Sequence, residues 1–140
     1  MSASVLDPTA VYKRGLRDPE GLTAAERLVF VLMEFETLMD MEGWDDFFTS
    51  KWLRYYPELK RGLAAADDTE SLAVLDDYEQ HLKERNVALE ADAIGAFLVA
   101  QSEEYFRGCR DWRDEYSRLS DRRWRKVTDH LRTLGLELQA

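Results

Sequence analysis

Residues 23–42 constrain this chain more than any other stretch. Thr23-Ala24-Ala25-Glu26 has the form of a capping box, in which a threonine hydroxyl and a glutamate carboxylate each satisfy a free backbone N–H at a helix start. Behind it, Leu28, Val31, Leu32, Phe35, Leu38 and Met39 recur at helical spacing. A second stripe, Phe30, Met33 and Met41, falls on the opposite side. A helix that is apolar on two sides must be covered on both. It is therefore either central in its own fold or shared with a second subunit, and the second stripe predicts a homodimer contact. Gly43 suits the C-terminal stop.

The rest of the chain reads the same way. Trp44 to Tyr56 predicts a short aromatic-rich helix, and Pro57 starts another that runs to about Ala66. Asp67, Asp68 and Thr69 offer caps for a further helix, with Leu72, Leu75, Tyr78 and Leu82 inward and Asp76, Asp77, Gln80 and Glu84 outward. From Ala91 to Leu119 the positions Ile94, Leu98, Tyr105, Trp112 and Leu119 recur at fours and sevens, which predicts one long helix bent at Gly108. Its outer face mixes Glu103, Arg107, Arg110, Asp111, Asp114 and Arg118 as a solvated, salt-bridged surface. A last helix is expected from a cap at Ser120 through Leu134, ending at Gly135. No strand pattern stands out. The expectation is an all-α, single compact domain of about six helices over residues 22–140. Residues 1–21 precede it as a partly ordered arm with a short helix near Thr9 to Leu16.

A chain of 140 residues can bury roughly two thirds of its unfolded surface and needs no disulfide or metal to fold. One cysteine, Cys109, fits a reducing cytosol, and no apolar run is long enough for a membrane span. A cytoplasmic protein is expected. The formal net charge is −9, and residues 1–100 hold 20 of the 28 acidic groups against 10 basic ones. Such a chain is repelled by nucleic acid and by anionic membranes, so direct binding to either is not expected and a basic protein is the natural partner.

Catalytic chemistry finds little support. His81 and His130 sit in no ligand pattern, and the Asp77–His81 pair at i,i+4 reads as a simple polar contact. Cys109 falls near the apolar stripe of its helix and reads as a small core residue. No phosphate loop, Cys-x-x-Cys, His-Glu-x-x-His or nucleophile elbow occurs. No enzyme, metal or cofactor is expected.

Two stretches hold acid without base. Glu34, Glu36, Asp40, Glu42, Asp45 and Asp46 lie between Arg27 and Lys51, and Asp67, Asp68, Glu70, Asp76, Asp77 and Glu79 lie between Arg61 and Lys83. Carboxylates three or four positions apart on a helix are roughly 5–6 Å from each other, of the same order as successive phosphates on a nucleic-acid strand. Held that close they repel, so they serve either to dock a basic surface or as a solvated face with helix caps.

The stretch Glu36 to Ser50, ETLMDMEGWDDFFTS, resembles the hallmark of a bacterial family of acidic all-helical proteins that includes DNA mimics. In that family an acidic helix ends in a Gly-Gly-aromatic turn, followed by a Gln-Phe-Phe helix start and an Asn. Gly43, Trp44, Phe47 and Phe48 match, while Glu42, Asp46 and Thr49-Ser50 depart. The Leu22-Thr23-x-x-Glu26-Arg27 opening is similar too, and the likeness extends to about residue 119. What the resemblance implies is a non-enzymatic protein whose two acid clusters imitate duplex phosphates and occupy the DNA-binding face of a transcription factor or nucleoid protein, often as a dimer. The alternative is an interaction or immunity-type protein that binds through an aromatic surface around Trp44, Trp52, Tyr55 and Tyr56.

Overall fold

The computed structural model describes residues 4–139. Among them are seven α-helices and one two-stranded ribbon: β1 (Ser4–Leu6), α1 (Pro8–Arg17), α2 (Ala24–Met41), α3 (Tyr56–Ala65), α4 (Thr69–Glu84), α5 (Ala91–Val99), α6 (Glu103–Arg118), α7 (Ser120–Thr133) and β2 (Leu136–Leu138). The all-α expectation holds. Residues 1–3 of the expected arm and residue 140 lie outside the described part.

α2 is the hub. Its capping box forms as read, with the Thr23 amide donating to Glu26 and the Glu26 amide donating to the Thr23 hydroxyl at 2.9 and 3.2 Å. Leu28 to Leu32, Phe35 and Met39 are all buried, so the helix is covered on both sides by its own chain. The second stripe does not survive as one face: Phe30 is fully buried beneath α1 and Trp52, whereas Met41 is 77% exposed. α1 can sit that close because residue 15 is a glycine. A Cβ there would fall 2.2 Å from the Phe30 ring.

The turn after α2 explains one departure from the family pattern. Gly43 lies at φ +142, a conformation that L side chains rarely adopt, and its amide reaches back to the Leu38 carbonyl at 3.1 Å. Glu42 has an ordinary φ of −123, so a glycine is not required there.

Two 3-10 segments, Trp44–Asp46 and Lys51–Tyr55, replace the expected aromatic helix. Rings from this stretch and from α6 wrap α2: Phe35 meets Trp44, Phe47, Phe48 and the α6 residue Tyr116 at centroid distances of 4.7–5.6 Å. Trp44, Trp52, Tyr55 and Tyr56 are all buried, so the aromatic docking surface built on them is corrected: these residues are core.

The predicted long helix is two helices. The chain leaves α5 at Val99 and re-enters helix at Glu103, where the Ser102 hydroxyl accepts from the Tyr105 amide and Glu103 and Glu104 complement the helix dipole. The break lets α5 pack back on α6, with Phe97 edge-on to Tyr105 at 5.5 Å. Gly108 sits inside α6, which runs unbroken through it from Glu103 to Arg118. The ribbon was also missed. β1 and β2 pair in parallel, Ser4 opposite Leu136 and Leu6 opposite Leu138, and join the two ends of the described chain.

Candidate functional site

The twelve carboxylates of the two acid clusters divide sharply once folded. Glu36 points into the seam between α2 and α7. It accepts from Arg123 at 2.5 Å, from the Ser120 hydroxyl at 3.0 Å and from the Trp124 indole N–H at 3.0 Å. Arg123 is fully buried, its guanidinium 3.6 Å above the Tyr116 ring. Glu34 is buried too and accepts from the Tyr12 hydroxyl at 3.2 Å. Burial pushes its pKa up, which the tyrosine bond partly offsets. Asp45 accepts from the Tyr78 hydroxyl at 3.0 Å, and burial again raises its pKa. Asp40 and Glu42 face solvent. Asp46 stands beside Glu42 and is pushed up to about 6, first by desolvation and then by that carboxyl neighbour.

In the second cluster Asp68 is the buried N-cap of α4, accepting from the Ser71 amide at 3.2 Å. Glu79 takes the Tyr56 hydroxyl at 2.8 Å and shares Lys60 with Asp76. Asp67 is exposed at φ +61, and its carbonyl accepts from Lys126. Glu70 pairs with Arg122, and Asp77 accepts from the Trp112 indole N–H at 2.8 Å. Glu34, Glu36, Asp45, Asp68 and Glu79 are therefore engaged in holding the fold.

Two acids of the second cluster meet two further carboxylates that the sequence reading did not group with them. Between α4 and α6 lies an open groove of about 710 Å³. Glu70 and Asp77 line it from α4, and Asp111 and Glu115 line it from α6. Ala73, Val74 and Trp112 give it an apolar floor, and no lysine or arginine is among the lining residues. Arg122 and Arg118 hold Glu70 and Glu115 respectively, and the Arg118 bond draws the Glu115 pKa down. Asp111 has no ion pair among the described residues. In the sequence Asp111 reads as part of a mixed outer face, and Glu115 is not singled out. The signal that finds them is their own i,i+4 spacing, which puts both carboxylates on one face of the helix.

The first cluster's exposed acids do not join this groove. Glu42 and Asp46 border a separate cavity on the other flank of α6. Among the described residues, no group of three or more His, Cys, Asp or Glu is placed to hold a metal. His81 contacts the Tyr105 hydroxyl at 3.0 Å and packs edge-on to Trp112, with ring centroids 4.8 Å apart, so it is a polar member of an aromatic cluster. Cys109 is a buried thiol pushed up to about 12 by burial and by Asp45, which makes it a poor nucleophile. No described helix is long and apolar enough to cross a membrane.

The family model described as DMP19-like protein matches residues 20–134. This chain belongs to that family. The match contains α2 through α7 and with them the whole α4–α6 groove, while β1, α1 and β2 fall outside it. It reaches beyond residue 119, where the resemblance read from the sequence stopped, to take in α7 and its Arg123–Glu36 tie. No curated protein and no solved structure matches the chain.

Proposed function

We propose that this DMP19-like protein is a non-enzymatic binding protein that presents its α4–α6 groove to a basic DNA-binding protein in place of DNA. The observation that carries the reading is the groove itself, with four carboxylates from two helices and no basic side chain in the lining. Asp111 and Glu115 stand one helical turn apart, roughly 5–6 Å, and Asp77 faces them across the groove floor. A net charge of −9 steers a basic partner toward the chain from a distance. The acid set proposed for binding is thus Glu70, Asp77, Asp111 and Glu115, with Asp40, Glu42, Asp46, Asp67 and Asp76 adding to the field.

The test is capture of a basic DNA-binding protein by the tagged chain, with duplex DNA as competitor and salt as a second variable. The expected result is a complex that duplex DNA displaces and that weakens by about tenfold or more between low and physiological salt. Charge reversal of the pair, Asp77→Lys with Asp111→Lys, should abolish capture while leaving the fold intact. A partner indifferent to DNA, salt and this double variant overturns mimicry. That outcome would favour an apolar surface, for which Val99 at 88% exposure and Met41 at 77% are the most exposed large apolar side chains among the described residues.

A further inference from the structure

The turn after α2 and the outer flank of α6 enclose the second cavity, of about 370 Å³. Its walls carry opposite charges. Glu42 and Asp46 stand on the turn, and Arg110 and Arg113, one helical turn apart on α6, stand opposite. These walls do not neutralise each other. Among the described residues Arg110 makes no ion pair, and Arg113 reaches only its chain neighbour Asp114, at 3.7 Å. Leu98 and Phe106 add apolar surface to the same cavity. Opposite charges held apart beside an apolar wall suit a guest that carries both charges and a compact apolar body. The volume lies within the range of small-molecule sites, near its lower end.

We propose that this cavity binds a free α-amino acid with an apolar side chain. The ammonium group lies against Glu42 and Asp46, the carboxylate against Arg110 and Arg113, and the side chain against Leu98 and Phe106. Both ends are charge-assisted, and an arginine pair matches the planar geometry of a carboxylate. A ligand with one charge leaves the opposite wall unanswered and loses the bridging interaction. The site is distinct from the α4–α6 groove and does not depend on the partner proposed for it.

The experiment uses the isolated full chain, so its outcome is separate from that of partner capture. Thermal unfolding is followed with L-leucine and with its two half-molecules, isoamylamine and 4-methylpentanoate. The expected result is a rise in Tm of about 4 °C with leucine at ten times its Kd, and little or no rise with either half-molecule. The double variants Glu42→Gln with Asp46→Asn, and Arg110→Gln with Arg113→Gln, should each weaken binding tenfold or more while unfolding cooperatively. The indole N–H resonance of Trp44, which lines the same cavity, should move on titration. No response up to the solubility limit of leucine overturns the proposal. So does an equal response to a half-molecule, or a shift that both double variants retain; a partner's lysine or aspartate side chain would then be the better guest.

Discussion

The α2–α7 seam and the α4–α6 groove are both lined by carboxylates, and only the seam closes over them. In the seam, Glu36 faces a buried arginine, a serine hydroxyl and an indole N–H, so each charge and donor has an answer inside the protein. In the groove, Asp111 faces solvent and other carboxylates. Seam acid is part of the core, whereas in the groove Asp111 is unanswered and Glu70 and Glu115 hold only exposed arginines, which bind weakly. The lesson is that acid density alone does not mark a binding surface; the charge must also lack an internal partner.

The sharpest way to break this comparison is Glu36→Gln. It leaves Arg123 buried without its counter-charge, and the expected loss is about 3–5 kcal/mol, read from denaturant unfolding. A loss below about 1 kcal/mol would mean the seam is as dispensable as a surface pair. Next in size is Asp68→Ala, which removes the N-cap of α4 and should cost about 0.5–2 kcal/mol in the same measurement.

Asp46 belongs to neither region and responds to pH with a predictable sign. Its folded pKa is raised to about 6 from an ordinary 3.8, so between those values the native chain binds more protons than the unfolded one. The group therefore destabilises the fold at neutral pH and releases that penalty as pH falls from about 6 toward 4. Asp46→Asn should raise stability at pH 7 and remove that segment of the pH profile. His81 works in the opposite direction. Burial, then Arg85, lowers its pKa, so the native state resists protonation and acidification below the usual histidine range costs stability. Unfolding curves for both single variants across pH 4–8 separate the two slopes. The smallest expected effect is Asp111→Asn, within about 0.5 kcal/mol and toward greater stability, since it relieves like-charge repulsion. Its consequence should appear in partner binding instead.

Much of the fold was legible because helices report themselves locally. The capping box at Thr23, the first apolar face of α2 and the glycine stop at Gly43 all formed as read, while the second stripe split between buried Phe30 and exposed Met41. The break at Ala100–Ser102 was not legible, because the apolar period of α5 happens to stay in phase with that of α6 across it. A serine cap and the folding back of Phe97 onto Tyr105 decided the matter. The ribbon escaped notice because three-residue strands carry almost no periodic signal, and these two pair across nearly the whole chain.

The site was legible in part. Glu70 and Asp77 came from acid density, whereas Asp111 and Glu115 sat among arginines in the sequence and looked neutralised. Only the packing of α6 on α4 turns that pair toward Asp77 and its arginine neighbours toward the other flank.

By itself the sequence determined a helical chain with a strong negative charge and a required glycine after its central helix, since all three follow from residue type and local spacing. The tertiary structure alone decided which carboxylates are answered internally and which stay free. Helical spacing says which residues share a face; only the neighbouring element that covers or leaves that face determines whether a charge on it is desolvated and paired or left open to a partner.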